Sequence, residues 1–280
     1  MIARQPTTVG PRRKPTEKMV DEQDPRFQEE SEPETESNRV WPSVVGSIFS
    51  TLFMLCFVGG GLLVTLALFH PETPLPPEWN PRTPLAVSDP VTPLTSWKLR
   101  QALNDPVQCR AVLGRAAQVS ARAPLEVSDN CHIRNRVSLR AVGQARLDEL
   151  ETSCATALRL AMWEQHGLQP AAQTFLGSQV QVIRQFGSYS CRSIRTVQGT
   201  SNRWSTHATA DAIDISGFDL ADGRRLRLVN DWQGSDAEAL FLRAVRDSAC
   251  KWFATTLGPE YNSLHADHFH LQSRGWGTCR

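Results

Sequence analysis

From Val44 to Phe69 the chain runs 26 residues without a charged side chain. Nothing else in it restricts the fold as much, because this run divides the chain into parts that face different solvents. At ~1.5 Å per residue, a helix of that length exceeds the ~30 Å hydrocarbon core of a bilayer. Trp41 stands at the entry, where an amphipathic ring suits the interface. Gly59-Gly60-Gly61 weakens a helix without forbidding one in a membrane, where glycine is common. The run starts too late and lasts too long for a cleaved signal peptide, and no small-residue cleavage site follows it. The expectation is one transmembrane helix over 44–69, with a buried core helix as the alternative. Arg26 and Arg39 before the run, against Arg82 after it, favour a cytoplasmic N-terminus.

The flanks differ in composition. Residues 1–40 are polar, with a basic start (Arg12, Arg13, Lys14, Lys18) and an acidic run from Asp21 to Glu36. Such a segment buries too little apolar area to offset the entropy of ordering, so it is expected to be a disordered cytoplasmic tail. Residues 71–93 hold eight prolines in 23 positions and read as an extended linker that spaces the next domain from the bilayer. Residues 94–280 form that domain. With 30 Lys and Arg against 29 Asp and Glu, the net charge is +1, which gives no electrostatic case for nucleic acid.

Cysteine indicates the compartment. Cys56 lies in the apolar run, and the other six (Cys109, Cys131, Cys154, Cys191, Cys250, Cys279) all follow it. An even number in an external domain predicts up to three disulfides, the alternative being free thiols in a cytosolic domain. Cys109 and Cys131 are close in sequence and are the one pairing it suggests; a bridge from Cys279 would tie down the C-terminal tail.

Within the domain, Thr95 starts a helix through Leu103, and Asp105-Pro106 supplies an N-cap and a first-turn proline for a second helix toward Leu113. Short strands follow between Val119 and Val142. Leu147, Leu150, Cys154, Leu158, Ala161 and Met162 recur at helical spacing, predicting a helix that ends near His166, whose charge would favour that terminus. Gln179–Phe186 reads as a strand leading to Tyr189 and Arg192. A hairpin joins the strand through Ile215 to one over Arg225–Val229, and Ser235-Asp236 opens a long helix burying Phe241, Val245, Ala249, Trp252 and Phe253. The expected fold is α+β, a small mainly antiparallel sheet with flanking helices.

Two blocks carry chemistry. Trp204 to Ile215 holds His207 and, seven positions on, Asp214; His265-Ala266-Asp267-His268-Phe269-His270 holds Asp267 three positions before His270. Two imidazoles and a carboxylate can hold a metal while leaving it Lewis-acidic, and a fourth group remains free to act on a water. Both blocks read as adjacent strands. Ser205 reads as the cap of the loop before His207 and has no nucleophile role, since no Gly-x-Ser-x-Gly elbow surrounds any serine.

The pattern Ser-x-His-x6-Asp followed by Asp-x-x-His resembles the lysostaphin/D-Ala-D-Ala metallopeptidase/hedgehog superfamily. Gly187-Ser188-Tyr189-Ser190-Cys191-Arg192, Ser205–Ile215 and Asp267–Leu271 resemble more narrowly the bacterial extensin-like C-terminal domain family, over roughly Pro93 to Arg280. The resemblance implies a D-Ala-D-Ala metallopeptidase-like fold, with Zn2+ held by His207, Asp214 and His270. It implies Asp267 as general base, a role shared with His268, and Arg192 as substrate holder, with Tyr189 and Ser205 beside it. Two positions depart from the superfamily pattern: Ala210 where Gly is frequent, and Asp267 where Glu is frequent. The function implied is a membrane-anchored zinc-dependent peptidase acting on peptidoglycan peptides. It would sit in the inner membrane by one helix with its domain periplasmic. The alternative is a non-catalytic zinc-containing cell-wall-binding module.

Overall fold

A computed structural model of the protein describes residues 41–70, 73, 75–275 and 277–280. The expected tail over 1–40 lies outside the described residues. Helix α1 spans Trp41–Phe69, and no side chain from Val44 onward is buried. Among the described residues it is the one helix long and apolar enough to cross a membrane. Its apolar side chains are exposed all round, which does not suit the core-helix alternative.

The domain begins earlier than its proline content suggested. Leu85 and Val87 are buried in the core, Pro77–Trp79 forms a 3-10 turn, and Lys98 Nζ donates to the Pro77 carbonyl. The linker over 71–93 is therefore corrected: its second half packs on the domain. Proline fixes φ, but it leaves the intervening Leu and Val free to bury their side chains.

Helices α2 (Thr95–Asn104) and α3 (Pro106–Leu113) follow, with the Asp105 carboxylate accepting from the Val107 and Gln108 amides as expected of an N-cap. Then come β1 (Ala117–Ala121), β2 (Leu125–Ser128), β3 (Cys131–Ile133), β4 (Arg136–Val142) and β5 (Ala145–Ser153). Next are α4 (Cys154–Trp163), a π-helical turn over Glu164–Leu168, α5 (Gln169–Leu176) and β6 (Val180–Gly187). The hairpin β7 (Ser193–Thr196) and β8 (Gly199–Trp204) precedes a 3-10 turn over Thr206–Thr209. The remainder is β9 (Ala212–Leu220), β10 (Arg225–Arg227), α6 (Leu228–Asp231), α7 (Ala237–Trp252), β11 (Thr255–Leu257), a 3-10 turn over Ser263–His265, β12 (Phe269–Gln272) and β13 (Thr278–Cys279).

The architecture is α+β, as expected, but the sheet is neither small nor uniform. Among the described residues it has nine strands in the order β1-β4-β5-β6-β9-β12-β11-β13, with β10 also on β9. The β5/β6 and β11/β13 pairs are parallel, so the sheet is mixed. The β2/β3 and β7/β8 pairs stand apart as two-stranded ribbons. Helices cover the sheet's core face, where Phe218 lies 6.1 Å from the Trp163 ring and 5.6 Å from Phe241. Trp163 stays satisfied there by donating Nε1–H to the Val245 carbonyl at 3.1 Å.

Three further readings are corrected. Leu147 and Leu150 belong to β5, and the helix starts only at Cys154, capped by Ser153. His166 sits half-buried in the π-helical turn, 2.8 Å from the Val87 carbonyl, and the chain runs on from it into α5, so it marks no helix end; burial pushes its pKa down. Cys109 pairs with Cys154 and not with Cys131, which pairs with Cys191; Cys250–Cys279 ties the C-terminal strand to α7, as a bridge from Cys279 was expected to do.

Candidate metal centre

The site begins with the register of two strands. His270 on β12 lies directly opposite Asp214 on β9, so both project from one face, and His270 Nδ1 is 2.8 Å from Asp214 Oδ1. The alternate residues Ile213, Ile215, Phe269 and Leu271 face the other way and are fully buried in the core. Each contributes roughly 1.5–3 kcal/mol by burial. The same alternation that fills the core therefore aims the carboxylate and the imidazole at each other.

His207 arrives from the 3-10 turn rather than from a strand. The Ser205 hydroxyl caps that turn by accepting the His207 amide at 3.3 Å, as the sequence predicts. The turn closes at Ala210, whose φ of 51° makes it the one non-glycine with positive φ among the described residues. That conformation costs an L-residue about 1–2 kcal/mol, which explains a preference for Gly here. Surroundings hold it in place: the Ala210 carbonyl accepts from the Thr156 hydroxyl at 2.9 Å, and its amide donates to His207 O at 3.1 Å.

The His207 tautomer follows from its neighbour. Nδ1 lies 2.8 Å from the Ser188 carbonyl, which can only accept, so Nδ1 carries the proton and Nε2 presents its lone pair. Nε2 faces Asp214 Oδ2 at 3.2 Å and His270 Nδ1 at 3.1 Å. Three donor atoms thus converge. Zinc–ligand bonds of 2.0–2.1 Å in a tetrahedron would space such atoms ~3.3 Å apart. The observed spacings and the two-imidazole, one-carboxylate set fit a divalent cation that takes nitrogen and oxygen. Burial pushes the Asp214 carboxyl up, but the His207 and His270 rings beside it outweigh burial and hold it well below the usual carboxylate range.

Beside the three donors stands His268, with Nε2 3.6 Å from Asp214 Oδ1 and Nδ1 2.8 Å from Asp267 Oδ1. Asp267 is half exposed and touches the ring nitrogen on the side away from the donors. Of the two groups expected to share the base role, the geometry puts His268 against the centre and Asp267 behind it. His265, which sequence reasoning assigned no role, has its ring 5.2 Å from His268 and 5.7 Å from His270. Burial first, then the charges of His270 and His268, push its pKa down to about 4. Its three-residue spacing from His268 could have drawn attention to it.

The centre opens into a cleft of about 620 Å³. Arg192 and Ser205 line it, as does Arg195, which sequence reasoning passed over. Tyr189 does not line it; its hydroxyl is buried without a hydrogen-bond partner among the described residues. Burial, then the nearby Arg195 charge, push the Arg192 pKa down, while Asp214 acts the other way, so Arg192 feels the centre electrostatically.

No curated protein and no solved structure matches the chain. The model of the extensin-like protein C-terminus family matches residues 107–280, more than half of the sequence, and the chain belongs to that family.

Proposed function

We propose that the protein is a membrane-anchored zinc-dependent peptidase acting on peptidoglycan peptides of the bacterial envelope. Its domain would have the D-Ala-D-Ala metallopeptidase-like fold and superfamily placement. The observation that carries this reading is the convergence of His207 Nε2, His270 Nδ1 and the Asp214 carboxylate at the bottom of an open cleft, with the His268–Asp267 pair alongside. Helix α1 would anchor the chain in the inner membrane with its N-terminus cytoplasmic. Three disulfides in the domain support a periplasmic location.

His207, Asp214 and His270 would hold zinc, which when bound supplies Lewis acidity and brings the pKa of a water near ~7. His268 is placed to take a proton from the attacking water at Nε2 and return it to the leaving amine. Asp267 holds the His268 ring through Nδ1, which fixes the tautomer that leaves Nε2 basic. Arg192 would orient a substrate carboxylate or carbonyl by paired hydrogen bonds. Ser205 serves the centre by fixing the turn that carries His207.

The test uses the detergent-solubilised full chain. Elemental analysis should find one zinc per chain, lost in His207→Ala and in His270→Ala. Mass spectrometry of treated peptidoglycan fragments should show cleaved peptides, and His268→Ala should slow cleavage by roughly 10²- to 10⁴-fold while keeping the metal. No stoichiometric metal would sink the reading. Metal with no turnover in the unaltered protein would favour the zinc-containing wall-binding module instead.

A further inference from the structure

One wall of the cleft is strand β7 with its turn: Ile194 to Gln198 line the cleft, and no residue of β8 does. β7 pairs only with β8, so its opposite edge, along the cleft, has no strand partner among the described residues. In an antiparallel pair every second residue turns its N–H and C=O outward. A free edge of this kind is a template for one more extended strand.

Charge on the same wall is unbalanced. Arg192 and Arg195 both line the cleft. Arg192 Nη1 donates to the neighbouring Ser193 carbonyl at 3.4 Å, and neither Arg192 nor Arg195 is ion-paired among the described residues, although most ion pairs of the domain use arginine. A guanidinium presents a planar fork matched to a carboxylate, and two of them without an ion-pair partner on one wall can each take a carboxylate.

We propose that the cleft binds an extended peptide bearing two carboxylates, laid as a third strand along the free edge of β7, with one carboxylate at Arg192 and the other at Arg195. This deepens the peptidase reading and rests on it: the paired backbone would carry the bond to be cut past His268 and the three donors. Arg195 is then a specificity-determining residue and takes no part in the chemistry.

The experiment measures fluorescence anisotropy of a labelled peptide, L-Ala-γ-D-Glu-L-Lys-D-Ala-D-Ala, on the full chain in detergent after chelation of metal. Its two carboxylates are converted singly to carboxamides, and in a separate series its backbone nitrogens are methylated one at a time. Each carboxamide should weaken binding about tenfold, the scale of a charge-assisted hydrogen bond. Arg195→Gln should weaken the diacid similarly and become indifferent to one of the two carboxamides, while Arg195→Lys retains part of the affinity. N-methylation should weaken binding at alternate residues and be tolerated between them. Equal binding of acid and amide forms, or indifference to Arg195→Gln, would overturn the charge assignment. Methylation tolerated everywhere would overturn the strand pairing. Hydrolysis by the zinc-restored chain is followed separately. A peptide bound with these dependences yet never cleaved would sink the peptidase reading alone. A peptide cleaved without them would sink this inference alone.

Discussion

The floor and the walls of the cleft hold their shape by different means. On the floor, the contacts that close the centre across the sheet join segments far apart in sequence: His207 to His270, His270 to Asp214, Thr206 to Gln272. On the walls, most side-chain hydrogen bonds close locally. Thr196 bonds the Gly199 carbonyl, and Asn262 bonds both the Leu264 amide and the His265 ring. Exposure follows the same division, from 4% at the His207 side chain to 59% at Val197. Long-range contacts exist only when the whole sheet is formed, so the floor shares the stability of the domain. Locally closed walls can loosen by themselves. The difference teaches that this fold ties its donors to the whole sheet and leaves the walls of the cleft adaptable.

That contrast can be broken most severely from behind the floor. Leu271 turns its side chain into the core, on the face opposite the donors, yet Leu271→Ala should cost about 2–5 kcal/mol of stability. If floor and core are one unit, the zinc binding proposed for the centre should fall along with the melting temperature. A melting temperature that drops while zinc content holds would separate them.

The next largest effect lies where floor meets wall. Cys131–Cys191 anchors the segment carrying Ser188, which orients His207, and Arg192, which lines the cleft. The double variant Cys131→Ala/Cys191→Ala should lose ~2–4 kcal/mol, chiefly through a less restricted unfolded chain. Peptide binding should suffer more than zinc content, because His207 keeps its capped turn. Equal losses in both would mean that the bridge belongs to the floor.

The smallest effect is expected at the wall itself. Val197→Ala, at the exposed tip of the β7–β8 hairpin, should change stability by less than about 0.5 kcal/mol. A larger shift in thermal unfolding would show that the hairpin is cooperative with the core after all.

How much of this was legible in the sequence follows the same division. Asp105-Pro106 announced its helix because capping is local chemistry, and His207, Asp214 and His270 were found because their spacing repeats a family pattern. β5 was misread for a physical reason. Its register against β4 shifts between Leu139 and Ala141, so Leu147 and Leu150 are both buried at a three-residue spacing that imitates a helix. Leu85 and Val87 were hidden by surrounding prolines, since burial of a strap depends on what it meets. The disulfide partners were illegible from proximity: the bridges span 45, 60 and 29 residues. Arg195 carried no signal of its own, because an arginine becomes informative only when a fold leaves it without a carboxylate.

The pairing of Asp214 with His270 has one more consequence, for how such a centre can fail. Side chains alternate along a strand, so a slip of one residue between β9 and β12 would not move the two groups gradually apart; it would send one of them to the opposite face. What forbids the slip is the apolar set Ile213, Ile215, Phe269 and Leu271, which has only one way to stay dry. Distance between the donors is thus kept as parity is kept, correct or wholly lost. Mutational drift in the hydrophobic layer should leave the centre intact up to a threshold and then abolish it, whereas drift in the loops should wear it down by degrees.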